Sequence, residues 1–195
     1  MKYRAVKTFI LGKLRRELPE KLRYHGYHHT LDVLQVASQL CRQEGISAKD
    51  TVLVKTAALF HDSGFVKNKH SDHESVGCEI ARSVLPGFDF GPQDIERICS
   101  MIMATKIPQS PQNLLEKIIC DADLDYLGRP DFYPIASSLY AELNAYQLVL
   151  DEKIWNKIQV KFLDDHHFWT ETNLRNREPE KRRRLAELQT VVAGY

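Results

Sequence analysis

Apolar positions recur at intervals of three and four residues along most of this chain, and no stretch sustains an alternation of apolar and polar residues. That pattern predicts helices. The first covers about residues 2–18, with Val6, Phe9, Ile10 and Leu14 on one side and Pro19 marking its end. After a polar and aromatic approach at 20–27, a second runs from about His28 to Glu44 and stops at Gly45. Ser47 is the expected N-cap of a third, which carries His61 and Asp62 near its C-terminal end. A polar loop, Lys67-Asn68-Lys69-His70, leads to Ser71-Asp72-His73-Glu74, which has the form of a capping box and opens a fourth helix stopping at Pro86. Pro92 can begin a fifth that ends near Lys106, and Pro111 a sixth that ends in Asp121-Ala122-Asp123-Leu124-Asp125. Two more, at roughly 131–150 and 152–167, precede a charged helix from about 179 to 192, and no internal repeat is found. The expected fold class is all-α, one helical domain over 1–195.

Polar residues that join an apolar stripe are the informative exceptions. Val33, Val36 and Leu40 follow His29 at four, seven and eleven residues. His61 lies four residues after Ala57 and seven after Val54. His73 aligns with Val76, Gly77, Ile80 and Val84, and His166 follows Phe162 by four. All eight histidines are clustered, the others being His25 and His28, His70, and His167. Any one of them alone is more simply a half-buried imidazole bonded to a backbone carbonyl. An adjacent His61-Asp62 pair on a buried face is different, because both groups cost free energy there unless paired or ligated. A metal ion would satisfy both. The sixth helix supplies an aspartate, but Asp121 and Asp123 flank the arc of Leu114, Leu115, Ile118, Ile119 and Ala122 almost symmetrically, so periodicity leaves both open. Either can instead be a polar stop facing water.

Composition narrows the classes. The apolar fraction of 43% suits a packed core, and a net charge of +1 gives no general attraction to nucleic acid or anionic lipid. Cys41, Cys78, Cys99 and Cys120 form no CxxC pair and sit in helical stretches, which predicts reduced, buried thiols. The apolar run at Phe9–Gly12 is too short for a signal peptide and no later segment suits a membrane span, so a cytoplasmic address is expected.

The order of these motifs resembles the HD-domain superfamily of metal-dependent phosphohydrolases. Tyr24-His25-Gly26-Tyr27-His28-His29 is similar to the family's tyrosine-histidine opening, His61-Asp62 to its naming doublet, and Ala122-Asp123-Leu124 to its closing motif. The similarity spans about residues 24–127. Carried over by position, it implies an HD-like helical bundle in which His29, His61, Asp62 and Asp123 are the metal ligands. It also implies a two-metal role for a histidine at His73, but the second histidine of that variant is replaced by Thr105-Lys106-Ile107. One tight ion with a weaker second is the resulting expectation.

Two imidazoles and two carboxylates leave positions open on an octahedral ion and favour Mn, Mg, Fe, Co or Ni over a closed zinc site. The leading functional expectation is hydrolysis of a small-molecule phosphate ester, a nucleotide or cyclic nucleotide, by metal-activated water. Asp62, His73 and Lys106 are the candidate catalytic residues. His73, in a first helical turn, can ligate a metal, bond a phosphate oxygen or donate a proton. Lys106 follows Ile102 by four residues, so it can steady phosphate charge or snorkel at a helix C-terminus. His25 and His28 are expected at the pocket rim. Tyr24, Tyr27, Phe65, Tyr126 and Phe132 offer a base-stacking wall or ordinary core. The segment Asp164–Thr170 reads as an aromatic helix end packed on the domain rather than a second metal site. Lys181-Arg182-Arg183-Arg184 reads as a solvated face rather than a nucleic-acid contact. The competing class is a non-catalytic nucleotide-sensing module; a di-iron oxygenase would need further histidine ligands.

Overall fold

In a computed structural model, residues 1–67 and 72–195 are described, and they are helical with no strand among them. The all-α expectation holds. The backbone divides into two compact units, one of Met1–Glu20 with His25–Asp123, the other of Lys21–Tyr24 with Leu124–Tyr195.

The first unit contains α1 (Tyr3–Glu17), α2 (Tyr27–Gln43), α3 (Ala48–Phe60), α4 (His73–Val84), α5 (Pro92–Ala104) and α6 (Leu114–Asp123). Local chemistry sets most of these limits. Leu18, before Pro19, turns to extended backbone and ends α1. Gly45 takes a left-handed φ of +67°, and the Ile46 N–H donates to the Cys41 carbonyl, closing α2. Ser47 Oγ accepts from the Asp50 N–H and starts α3, as expected. Pro92 opens α5. Here α3 packs against α2, α5 and α6 around a core that includes Val33, Leu40, Leu53, Val54, Phe60, Ile98, Ile102 and Ile119.

Several boundaries differ from expectation. Helix α3 ends at Phe60, so His61 is its C-cap and Asp62 lies in the turn beyond, followed by a 3₁₀ turn at Ser63–Lys67. Helix α6 begins at Leu114 rather than Pro111, where Asn113 Oδ1 accepts from the Leu115 and Glu116 N–H groups. The capping serine Ser71, with His70, lies outside the described residues. Asp72 precedes α4 in a left-handed conformation with its carboxylate turned to Lys106 instead of capping the helix.

The second unit contains α7 (Phe132–Ala145), α8 (Glu152–Asp165), α9 (Glu171–Asn176) and α10 (Glu178–Ala193). The short α9 had no apolar periodicity to betray it; Thr170, which accepts from the Asn173 N–H, was its one signal. Tyr24, Tyr126 and Phe132 are buried in this unit's core with Trp155, Leu163 and Phe168, so they are packing residues rather than a stacking wall. The basic run of α10 is only half solvated: Lys181 and Arg184 are buried, while Arg182 and Arg183 pair with Glu178, Glu180 and Glu187. All four cysteines are free and buried. Among the described residues no helix is long and apolar enough to cross a membrane.

Candidate metal centre

Three helix ends of the first unit meet at one buried point. His29 comes from the first turn of α2, His61 and Asp62 from the end of α3, and Asp123 from the last residue of α6. Each end is held there because the adjoining helix buries its apolar stripe in the common core.

His61 Nδ1 donates to the Ala58 carbonyl at 2.9 Å, which leaves Nε2 of the neutral ring as a lone pair aimed inward. That nitrogen lies 3.4 Å from His29 Nε2, 3.3 Å from Asp62 Oδ2 and 3.4 Å from Asp123 Oδ1. His29 Nε2 is 3.0 Å from Asp123 Oδ1 and 3.5 Å from Asp62 Oδ2. Adjacent ligands about 2.1 Å from an octahedral ion stand about 3.0 Å apart, so this spacing suits a shared cation. Asp62 Oδ2 is buried without a hydrogen-bond partner, an arrangement a metal would relieve. His29, His61 and Asp123 are the one group of three or more such side chains among the described residues that converges this closely. The residues therefore fit a divalent ion.

Charge supports the same reading. Burial opposes protonation of His61, but Asp62 and Asp123 outweigh it and raise the imidazole above its ordinary value. Burial pushes the Asp62 carboxyl up, and His61 beside it, with His25 and His29, holds it well below the usual carboxylate range. Asp123 is likewise raised by burial and lowered further by hydrogen bonds with His29 and His61. Without a cation, the two carboxylates facing His61 favour its protonated form.

Structure decides between the two aspartates of α6. Asp123 joins the cluster, whereas Asp121 is fully buried but outside it. His73, first residue of α4, places Nε2 3.5 Å from Asp62 Oδ1 and 3.3 Å from Glu74 Oε1. His25 stacks on Phe65 at the edge of the cluster, and His28 is exposed. Lys106 follows the end of α5, is 48% exposed, and its ammonium donates to Asp72 Oδ1 at 2.6 Å. His166 and His167 stand outside any such cluster in the second unit, where Lys161 pairs with Asp165. Glu74, expected only as a capping-box residue, precedes Cys78 and Ala81 by four and seven residues and shares their buried stripe.

An all-helical unit with imidazoles and carboxylates gathered from three helix ends defines a helical protein with a candidate divalent-metal centre. The HD-domain family model matches residues 26–125, just over half of the chain, and the chain belongs to that family. Two solved structures share the fold. One is a predicted HD superfamily hydrolase from an uncultured Thermotogales bacterium, with 23% identity, a TM-score of 0.64, and coverage of 96% of this chain and 91% of that one. The other is Bacillus subtilis YpgQ in complex with ADP, with 21% identity, a TM-score of 0.60, and coverage of 96% and 97%. No curated protein matches the chain.

Proposed function

We propose that this protein is a metal-dependent phosphohydrolase acting on a small phosphate ester, a nucleotide in the first instance. The carrying observation is the convergence of His29, His61 and Asp123 with the unpartnered Asp62 Oδ2. These four residues would hold Mn, Mg, Fe, Co or Ni. A bound ion of this kind polarises a phosphoryl oxygen and lowers the pKa of water from 15.7 toward about 7.

The side chains divide the remaining work. The Ala58 carbonyl keeps the proton of His61 on Nδ1 and its lone pair directed inward. Asp62 touches both the histidine pair and His73, so it can receive a proton from attacking water while its other oxygen stays with the imidazoles. His73 Nε2, between Asp62 and Glu74, is placed to donate to phosphate oxygen or the leaving group. Lys106 is tied to Asp72, the neighbour of His73, and its exposed ammonium adds positive charge near the approach to His73. The nucleotide assignment is supported by the fold shared with a protein that binds ADP.

The test is a panel of nucleotides, cyclic nucleotides and simple phosphate esters with each of the five metals, alongside metal analysis. Asp62→Ala should lose bound metal and turnover together; full activity in that variant would end the proposal. Binding of nucleotide by the metal-loaded protein without product release would assign it to the sensing class instead.

A further inference from the structure

Phe65 is 2% exposed, and among the described residues it joins neither of the two clustered apolar cores. Its ring stacks instead on two imidazoles, His73 at 4.2 Å and 22° and His25 at 4.6 Å and 28°. Those two imidazoles come from different segments, one before α2 and one at the start of α4, and their centroids are 6.2 Å apart. We propose that Phe65 is a positioning residue, a single buried ring that fixes the planes of His25 and His73 beside Asp62.

Backbone geometry ties this ring to the metal-facing turn. The Phe65 N–H donates to the Asp62 carbonyl at 3.1 Å, so ring and carboxylate belong to one 3₁₀ turn. The preceding Gly64 lets that turn meet α4 backbone to backbone: a Cβ there would stand 2.0 Å from the His73 carbonyl oxygen and 2.8 Å from its Cα. Gly77 does the same one turn further along α4, where a Cβ would lie 2.7 Å from the Phe60 carbonyl oxygen. The two glycines seat α4 on the His61-Asp62 turn, and Phe65 then settles the ring orientation. His73 needs this because its Nδ1 is buried without a hydrogen-bond partner. Rotation about an imidazole's second torsion is broad and weakly restrained. A flat aromatic face restricts it where an aliphatic side chain would not.

The effect on turnover rests on the phosphohydrolase reading, whereas the clamp rests on ring geometry alone. Phe65→Leu in the full chain keeps an apolar buried side chain and removes the stacked face. The His25 and His73 ring C–H resonances, assigned with His25→Gln and His73→Gln, should move downfield in metal-free Phe65→Leu as the ring-current shielding disappears. With metal bound, kcat should fall about ten- to a hundredfold, as for a misplaced catalytic group, with metal content and KM little changed. Phe65→Tyr should restore both the resonance positions and kcat; Gly64→Ala should reproduce the kcat loss.

Unmoved resonances in Phe65→Leu would overturn the clamp. So would moved resonances with unchanged kcat, or loss of bound metal along with activity, which marks a merely structural role. If the wild-type protein hydrolyses no phosphate ester, the functional reading fails while the resonances still test the clamp.

Discussion

Asp123 and Asp125 are two residues apart, the first partly and the second fully buried, and the chain treats them in opposite ways. In the second unit Asp125 accepts from Arg177 Nε at 2.8 Å and Asn173 Nδ2 at 3.2 Å, with Arg129 3.7 Å from its other oxygen. This carboxylate is neutralised by guanidinium groups, although its Oδ2 is buried without a hydrogen-bond partner. In the first unit Asp123 and Asp62 meet imidazoles, one of which already donates its fixed proton to the Ala58 carbonyl. With the His61 ring neutral, its Nε2 lone pair therefore faces the carboxylate oxygens. An unpartnered carboxylate oxygen occurs in both places, but only in the first do imidazoles that can ligate a metal stand where guanidinium cations neutralise Asp125.

That contrast can be broken by substitution on either side. Asp62→Ala should lower turnover about a thousandfold and abolish metal retention with little change in the second unit, read by phosphate release and metal analysis. Asp125→Ala should do the reverse. It leaves Arg177 and Arg129 without their buried partner and should cost about 3 kcal/mol in denaturant unfolding while metal content stays at the wild-type level. If Asp125→Ala also emptied the metal site, the two clusters would not be independent.

Metal addition sharpens the same contrast with a smaller effect. At a hundred times its dissociation constant, a divalent ion should stabilise the protein by about 2.7 kcal/mol, and a chelator should reverse it. Calorimetry of the wild-type protein and of His61→Ala, which should not respond, checks this. The weakest lever is pH. His61 lies above its ordinary 6.5 in the metal-free site, so protons compete with metal there, and affinity should fall about tenfold per pH unit on acidification where one proton is displaced. In the metal-free protein, the raised His61 contributes stability below its ordinary value and loses it as pH rises through the raised one. The depressed Asp62 and Asp123 contribute above the ordinary carboxylate range and lose it as pH falls. Stability of the metal-free form should therefore peak between those limits, as urea midpoints across pH will show.

Helices α1, α2, α3 and α5 were readable because each carries its own punctuation: Pro19, Gly45, Ser47 and Pro92 act on their immediate neighbours. His29, His61 and His73 stood out because a helical stripe reports burial one residue at a time. Glu74 lies on such a stripe too, although its capping-box position suggests a role at the helix start. The direction of Lys106 was not legible, since its spacing from Ile102 assumes a helix that stops at Ala104. Periodicity also had no means of seeing α9, which is too short to show a stripe.

The sequence by itself determined the all-helical character, the buried faces and the order of the motifs, because these follow from spacing within single segments. Tertiary structure alone decided that Asp123 and not Asp121 faces the histidines, since the two flank the apolar arc of α6 equally and only the position of α2 and α3 separates them. It also decided that Lys106 reaches Asp72, that Phe65 meets two imidazoles, and that arginines surround Asp125. Each is a meeting of segments distant in sequence, where the outcome depends on which partner packing brings within a few ångströms.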